Sequence, residues 1–215
     1  MLDVIVLSVL VASFVLSLTT FFQKGTPLYL RLCPFYLLAT ILVQKIGLYM
    51  SQHGIHNGFL YSSYSNFEFI FYFFVLRSII QNKRVKSLLL FILIAYPLVA
   101  IFNMFYFSAE SDFQSKIYTV GCILIVVFCI IYFWELFQLP KTINIKNEPS
   151  FWICTAILFS YVVTFPYWGL VDFMKTAPKI VLNNLLNLLM IINILSYLLF
   201  TIAFLCRIKI RKSTS

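Results

Sequence analysis

The stretch Tyr61-Ser62-Ser63-Tyr64-Ser65-Asn66-Phe67-Glu68-Phe69-Ile70-Phe71-Tyr72-Phe73-Phe74 sets one carboxylate inside an aromatic, apolar run. An acid in hydrocarbon is costly and seldom stands there without a partner or a task. Read as the third of seven membrane-spanning helices, this stretch decides the fold: an all-α, polytopic seven-transmembrane helix bundle.

The composition supports that class. Of 215 residues, 62% are hydrophobic and only 11% charged, too few charges to coat a soluble domain of this size. Aromatic residues make up 19%, which suits lipid contact and interfacial belts. A hydrocarbon core of about 30 Å needs ~20 apolar residues per helix. Seven segments meet that need, over approximately 3–22, 32–50, 59–80, 87–107, 116–137, 151–170 and 183–206, followed by a basic tail at 207–215. The first segment has no basic region before it and no small-x-small cleavage site after it, so it is expected to stay as the first span. The connections, the longest being 138–150 and 171–182, are too short to fold as soluble domains.

The net charge of +9 is not a nucleic-acid signal, because the bases sit at the ends of apolar segments. One set of ends holds Lys24, Arg31, Arg77, Lys83, Arg84, Lys86, Lys141, Lys146, Arg207, Lys209, Arg211 and Lys212. The other holds Lys116, Lys175 and Lys179, with Lys45 inside the second segment; twelve, three and one make up all 16. The positive-inside rule then puts the N-terminus outside and the C-terminus in the cytoplasm. A multi-pass protein of a bacterial inner (plasma) membrane is expected.

Tyr61, Tyr64, Glu68 and Tyr72 follow i, i+3, i+7 and i+11 spacing and share one helix face. At about 1.5 Å per residue, Glu68 lies roughly 14 Å below the outer interface. Gln44 and Lys45 fall in the last two turns of the second helix, so a Lys45–Glu68 ion pair, direct or through Gln44, is expected. Thr164 and Tyr167 on the sixth helix and Asn187 on the seventh lie in the same outer half. Together these residues predict an outward-opening polar cavity between helices 2, 3, 6 and 7, with Pro97 and Pro166 able to kink helices beside it. The competing reading is that Ser, Thr and Asn bridge helices as packing contacts, each worth about 1 kcal/mol, and that Tyr167 and Trp168 form an interfacial belt.

Other motifs carry less. His53 and His56 have HxxH spacing in a Gly-rich turn without Cys or acid beside them, so neither a metal nor a cofactor is expected. The five cysteines form no CxxC pair and read as packing residues. Glu135 is expected to pair with Arg77 or Arg207. Phe35–Leu42 and Phe151–Leu158 match weakly, as a parallel repeat of helices 1–3 and 5–7 would require.

Known seven-helix families share only the helix count. The last segment lacks the lysine that holds retinal and the Asn-Pro-x-x-Tyr of receptors, and helix 3 ends Leu76-Arg77-Ser78 rather than Asp-Arg-Tyr. No Pro-Gln dipeptide of the PQ-loop carriers occurs, and no histidine lies in a span as intramembrane ceramidases require. Phe67-Glu68-Phe69, Tyr132-Phe133-Trp134-Glu135-Leu136 and Glu148-Pro149-Ser150-Phe151-Trp152 resemble uncharacterised small bacterial seven-helix membrane proteins, a group that implies no activity.

The expected function is a non-enzymatic sensor or accessory module that binds a small or lipid-like ligand in the outer cavity and acts through a membrane or cytoplasmic protein partner. The bases of Lys83–Lys86 and of the tail are then docking points for that partner or contacts with anionic lipid. One alternative is a small secondary transporter with Glu68 as coupling acid. Another is an intramembrane lipid-modifying enzyme, which needs a nucleophile or a metal beside an acid.

Overall fold

A computed structural model describes residues 2–23, 25–106, 114–138, 145–170 and 178–214, with the side chains of Asp3, Lys179 and 209–214 left aside. Lys24, Lys141 and Lys175 of the charge pattern, and Phe107 at the expected end of helix 4, lie outside the described residues.

Among the described residues seven α-helices follow in order: α1 Leu2–Phe21, α2 Leu28–Gln52, α3 Gly58–Ile79, α4 Lys83–Tyr106, α5 Ser115–Phe137, α6 Pro149–Gly169 and α7 Lys179–Thr214. Their boundaries have local causes. Pro27, at φ −56° and ψ 146°, fixes an extended entry to α2, and its carbonyl accepts from Leu30 N at 3.1 Å and Arg31 N at 3.2 Å. At the far end of α2, Gly54 takes φ +68°; Ile55 N donates to Met50 O at 2.9 Å and Gly54 N to Ser51 O at 3.2 Å, the paired bonds of a Schellman stop. Asn82 caps α4 by accepting from Arg84 N at 2.9 Å. The basic tail is not a separate segment: α7 runs through it to Thr214. No Gly or Pro interrupts 207–214, and Arg and Lys are good helix formers.

Most neighbours in sequence are neighbours in space. α1 packs on α2 and α7, α2 on α3, α3 on α5, α5 on α6 and α6 on α7, which closes a ring; α4 packs on α3. α3 is the most enclosed element, and Phe69, Phe73, Val75 and Leu76 are all 0% exposed. Around it the outer faces carry Phe91, Phe105, Ile180 and Trp134 in the open, apolar surface that lipid would cover.

Among the described residues six helices are long and apolar enough to cross a membrane, and α3 is not one of them. Its first half carries Ser62, Ser63, Ser65, Asn66 and Glu68, which lowers its hydropathy. Ser62 and Ser65 are buried against other helices, so α3 is covered largely by protein and does not need an apolar first half.

The two ends of the bundle differ. One, the histidine end, carries the α2–α3 turn with His53 and His56. The opposite, arginine end carries the start of α2 with Arg31, the α3–α4 turn, the start of α6 and Arg207. There Arg207 donates to Gly25 O at 2.6 Å and Arg31 to Gln23 O at 3.5 Å, so both guanidinium groups hold the α1–α2 turn. The expected ion pair of Glu135 with Arg77 or Arg207 does not form. Instead its carboxylate accepts from Gln81 N at 2.7 Å and Asn82 N at 3.1 Å, because the α3–α4 turn points two free amides at it.

Candidate ligand-binding site

Glu68 sits midway along α3 and is half-buried. Its Oε1 accepts a hydrogen bond from the Tyr36 hydroxyl of α2 at 2.9 Å, and Tyr36 shares a second hydrogen bond with the Tyr72 hydroxyl at 2.5 Å. One turn further along α2, Thr40 Oγ1 bonds the Tyr64 hydroxyl at 2.7 Å and donates to Tyr36 O at 2.9 Å. Tyr36 and Thr40 stand at i and i+4, so one face of α2 meets one face of α3 through four hydroxyls and the carboxylate. The Tyr36 ring is stacked on Phe71 at 4.5 Å and fixed there. Tyr161 of α6 neighbours Glu68 as well, but its buried hydroxyl meets no partner at hydrogen-bonding geometry.

In front of Glu68 lies a cavity of about 470 Å³, walled by Tyr61, Tyr64, Ser65 and Glu68 of α3, Tyr118 of α5 and Trp168 of α6, with exposed His56 at its mouth. The face predicted for α3 thus holds for Tyr61, Tyr64 and Glu68, while Tyr72 lies behind it, buried. The cavity is framed by α3, α5 and α6 rather than by helices 2, 3, 6 and 7. α2 closes against α3 through the tyrosine–threonine bonds and leaves no space between them at that level.

Lys45 and Glu68 do not pair. Lys45 is exposed and lines a separate cavity of about 350 Å³ with Gln44, Gly47, Asn57 and Tyr61. Nine residues separate Lys45 from Tyr36, about two and a half turns, so the lysine leaves α2 on the face opposite the one that meets Glu68. Gln44 lies beside the Tyr197 hydroxyl of α7. Tyr61 stands between the two cavities, its ring packed where a side chain on Gly47 would be, so only glycine admits it there.

The remaining candidates fall away from the site. Asn187 is exposed on α7, as are Asn183 and Asn184; the first turns of that helix present them outward. Thr164 and Tyr167 are half-buried on α6 and line neither cavity; Tyr167 packs edge-on against Trp168, with centroids 5.1 Å apart. On α6 a cross-helix bond joins Ser160 to Ser196 of α7 at 2.6 Å, a packing contact of the expected kind. Sequence reasoning missed Tyr36, Thr40 and Tyr161. α2 begins at Leu28, a turn before the expected start, which moves Tyr36 deeper than the spacing implied. The i, i+4 pairing of Tyr36 with Thr40 was the available signal.

Among the described residues no three His, Cys, Asp or Glu come together as a metal site. Fold and site define a class: a multi-pass, all-α membrane protein with an acid beneath an aromatic cavity. No family model matches the chain, and no curated protein or solved structure is significantly similar to it.

Proposed function

We propose that this is a seven-span protein of a bacterial inner membrane that binds a small or lipid-like ligand in the cavity above Glu68 and works as a sensor or accessory module, without catalysis. In this reading α3 also crosses the membrane, the histidine end faces outside, and the C-terminal end of α7 is cytoplasmic. The asymmetry of Lys and Arg between the two ends supports that orientation. The observation that carries the binding reading is the half-buried Glu68 carboxylate at a cavity of about 470 Å³, a volume within the usual range of ligand pockets. A membrane or cytoplasmic protein partner would receive the signal at the arginine end.

A transporter with Glu68 as coupling acid is the second reading. It draws on the ring order, in which exchanging α1–α3 with α5–α7 maps each contact between neighbours onto another. The enzymatic alternative keeps its minimum requirement, since the Tyr36 hydroxyl touches Glu68. That hydroxyl, however, is shared with Tyr72 and does not line the cavity, so it is poorly placed to attack a bound lipid.

The test is a thermal-shift screen of lipids and metabolites on the purified chain in detergent, run in parallel on Glu68→Gln. Binding at the cavity predicts stabilising ligands whose effect is lost or weakened in the variant. If every ligand shift survives the substitution unchanged, the site assignment is wrong.

A further inference from the structure

The chemistry of the cavity walls narrows the ligand. Tyr61, Tyr64, Tyr118 and Trp168 present four aromatic rings, and Glu68 is the acid among them. Tyr118 and Trp168 meet edge-to-face, with centroids 5.9 Å apart and planes at 65°, which makes a corner rather than a flat wall. Such walls are not simply hydrophobic, because each ring face carries negative electrostatic potential and attracts a cation placed over it.

The acid is also short of partners. An ionised carboxylate offers about four acceptor positions. Among the described residues, the one hydrogen bond it receives at good geometry comes from Tyr36, to Oε1. No Lys or Arg lines the cavity among the described residues. Lys45, the partner expected from the sequence, lines its own cavity on the other side of Tyr61, so the positive charge that the sequence offered does not neutralise Glu68. A carboxylate with aromatic walls and no Lys or Arg among the described residues that line the cavity suits a positive partner that comes from outside. A bare metal ion is a poor match, since hard cations favour several charged oxygen ligands and Glu68 is the one carboxylate among the described lining residues, beside the neutral Ser65, Asn57 and tyrosine hydroxyls. An organic ammonium ion satisfies both features: its charge meets Glu68, and its alkyl groups lie over the rings.

We infer that the Glu68 cavity binds a small organic ammonium ion, recognised by the carboxylate at one side and by Tyr61, Tyr64, Tyr118 and Trp168 around it. This rests on the ligand-binding reading above and specifies the class of ligand. Tyr61 acts as the partition that keeps Lys45 from occupying the site in the ligand's place.

Choline, tetramethylammonium and butylamine, with 3,3-dimethylbutanol as the neutral isostere of choline, are titrated into the detergent-solubilised full chain, with binding followed by thermal shift and calorimetry. At least one of the three cations is expected to bind saturably while the neutral isostere does not. Glu68→Gln and Trp168→Leu should each weaken that binding about tenfold or more, as loss of an ion–carboxylate or cation–ring contact implies. Trp168→Leu decides the matter alone if Glu68→Gln fails to fold. Equal binding of choline and its isostere would overturn the ammonium class while leaving a ligand cavity standing. Binding of none of the three cations, or binding untouched by the variants that fold, would also overturn it; the wider screen for other ligands is unaffected by either outcome.

Discussion

A Cβ placed on Gly121 of α5 would stand 2.6 Å from the edge of the Phe69 ring and 2.7 Å from the Tyr96 hydroxyl oxygen. Phe69 fills that space: it is 0% exposed and meets Tyr96 and Tyr118 edge-on at 5.1 and 5.2 Å. Gly121 therefore sets how closely α5 approaches α3, one residue after the acid. Substitution by alanine gains about 1 kcal/mol of helix propensity, but overpacking a filled core costs about 1–3 kcal/mol. Gly121→Ala is expected to lower the melting temperature in detergent, and Phe69→Leu in that background should recover part of the loss. A variant as stable as the parent would mean the two helices are free to move apart.

Thr20 and Leu30 show how α2 tolerates a proline. Pro34 has no N–H to offer the carbonyl of Leu30, four residues back. The hydroxyl of Thr20 on α1 donates to that carbonyl at 3.2 Å, as well as to its own helix at Ser17 O at 2.7 Å. Thr20→Val keeps the shape and removes the donor. It should cost about 1 kcal/mol in the parent and markedly less in a Pro34→Ala background, where the helix supplies its own N–H. Equal losses in both backgrounds, read by thermal unfolding, would show that the hydroxyl does not serve the proline.

Around Glu68 the structure assigns the coupling to Tyr36, not Lys45. Tyr36→Phe removes the hydroxyl that serves both Glu68 and Tyr72, with an expected cost of about 1–3 kcal/mol. Lys45→Met, at an exposed side chain, should change stability by no more than about 0.5 kcal/mol. In double-mutant cycles with Glu68→Gln, the Tyr36 cycle should be non-additive and the Lys45 cycle additive to within about 0.5 kcal/mol. The reverse pattern would restore the ion pair.

What the sequence made legible follows from periodicity. Length and hydropathy located the first six helices to within about four residues, because a run of ~20 apolar residues between basic ends has few other readings, while α7 runs on through the tail to Thr214. The i, i+3, i+7 spacing of Tyr61, Tyr64 and Glu68 placed them on one face, and all three line the cavity. Which face of a neighbouring helix they would meet was not legible. α2 carries polar groups on more than one side, with Tyr36 and Thr40 on one face and Lys45 on the opposite one, so its sequence gives no single stripe from which its rotation can be read, and depth and charge alone favour Lys45. Tyr36 wins through rotation, since it and Thr40 share the face toward α3. Glu135 failed for a related reason: its partners are backbone amides of the α3–α4 turn, which every residue carries and no side-chain pattern reveals.

The polar first half of α3 makes its path testable. α3 does not reach the hydropathy of the six candidate spans, yet it connects the α2–α3 turn to the α3–α4 turn at opposite ends of the bundle. His53 and Lys83 flank it, and both are exposed. Cys33, Cys122, Cys129 and Cys154 are buried, so Cys206→Ser provides a quiet background for labelling. With single cysteines introduced as His53→Cys or Lys83→Cys, a membrane-impermeant maleimide added to intact cells should label the first and spare the second until the membrane is opened. Labelling of both from outside would mean that α3 does not cross the bilayer. Labelling of Lys83→Cys alone would invert the orientation, placing the mouth of the Glu68 cavity in the cytoplasm.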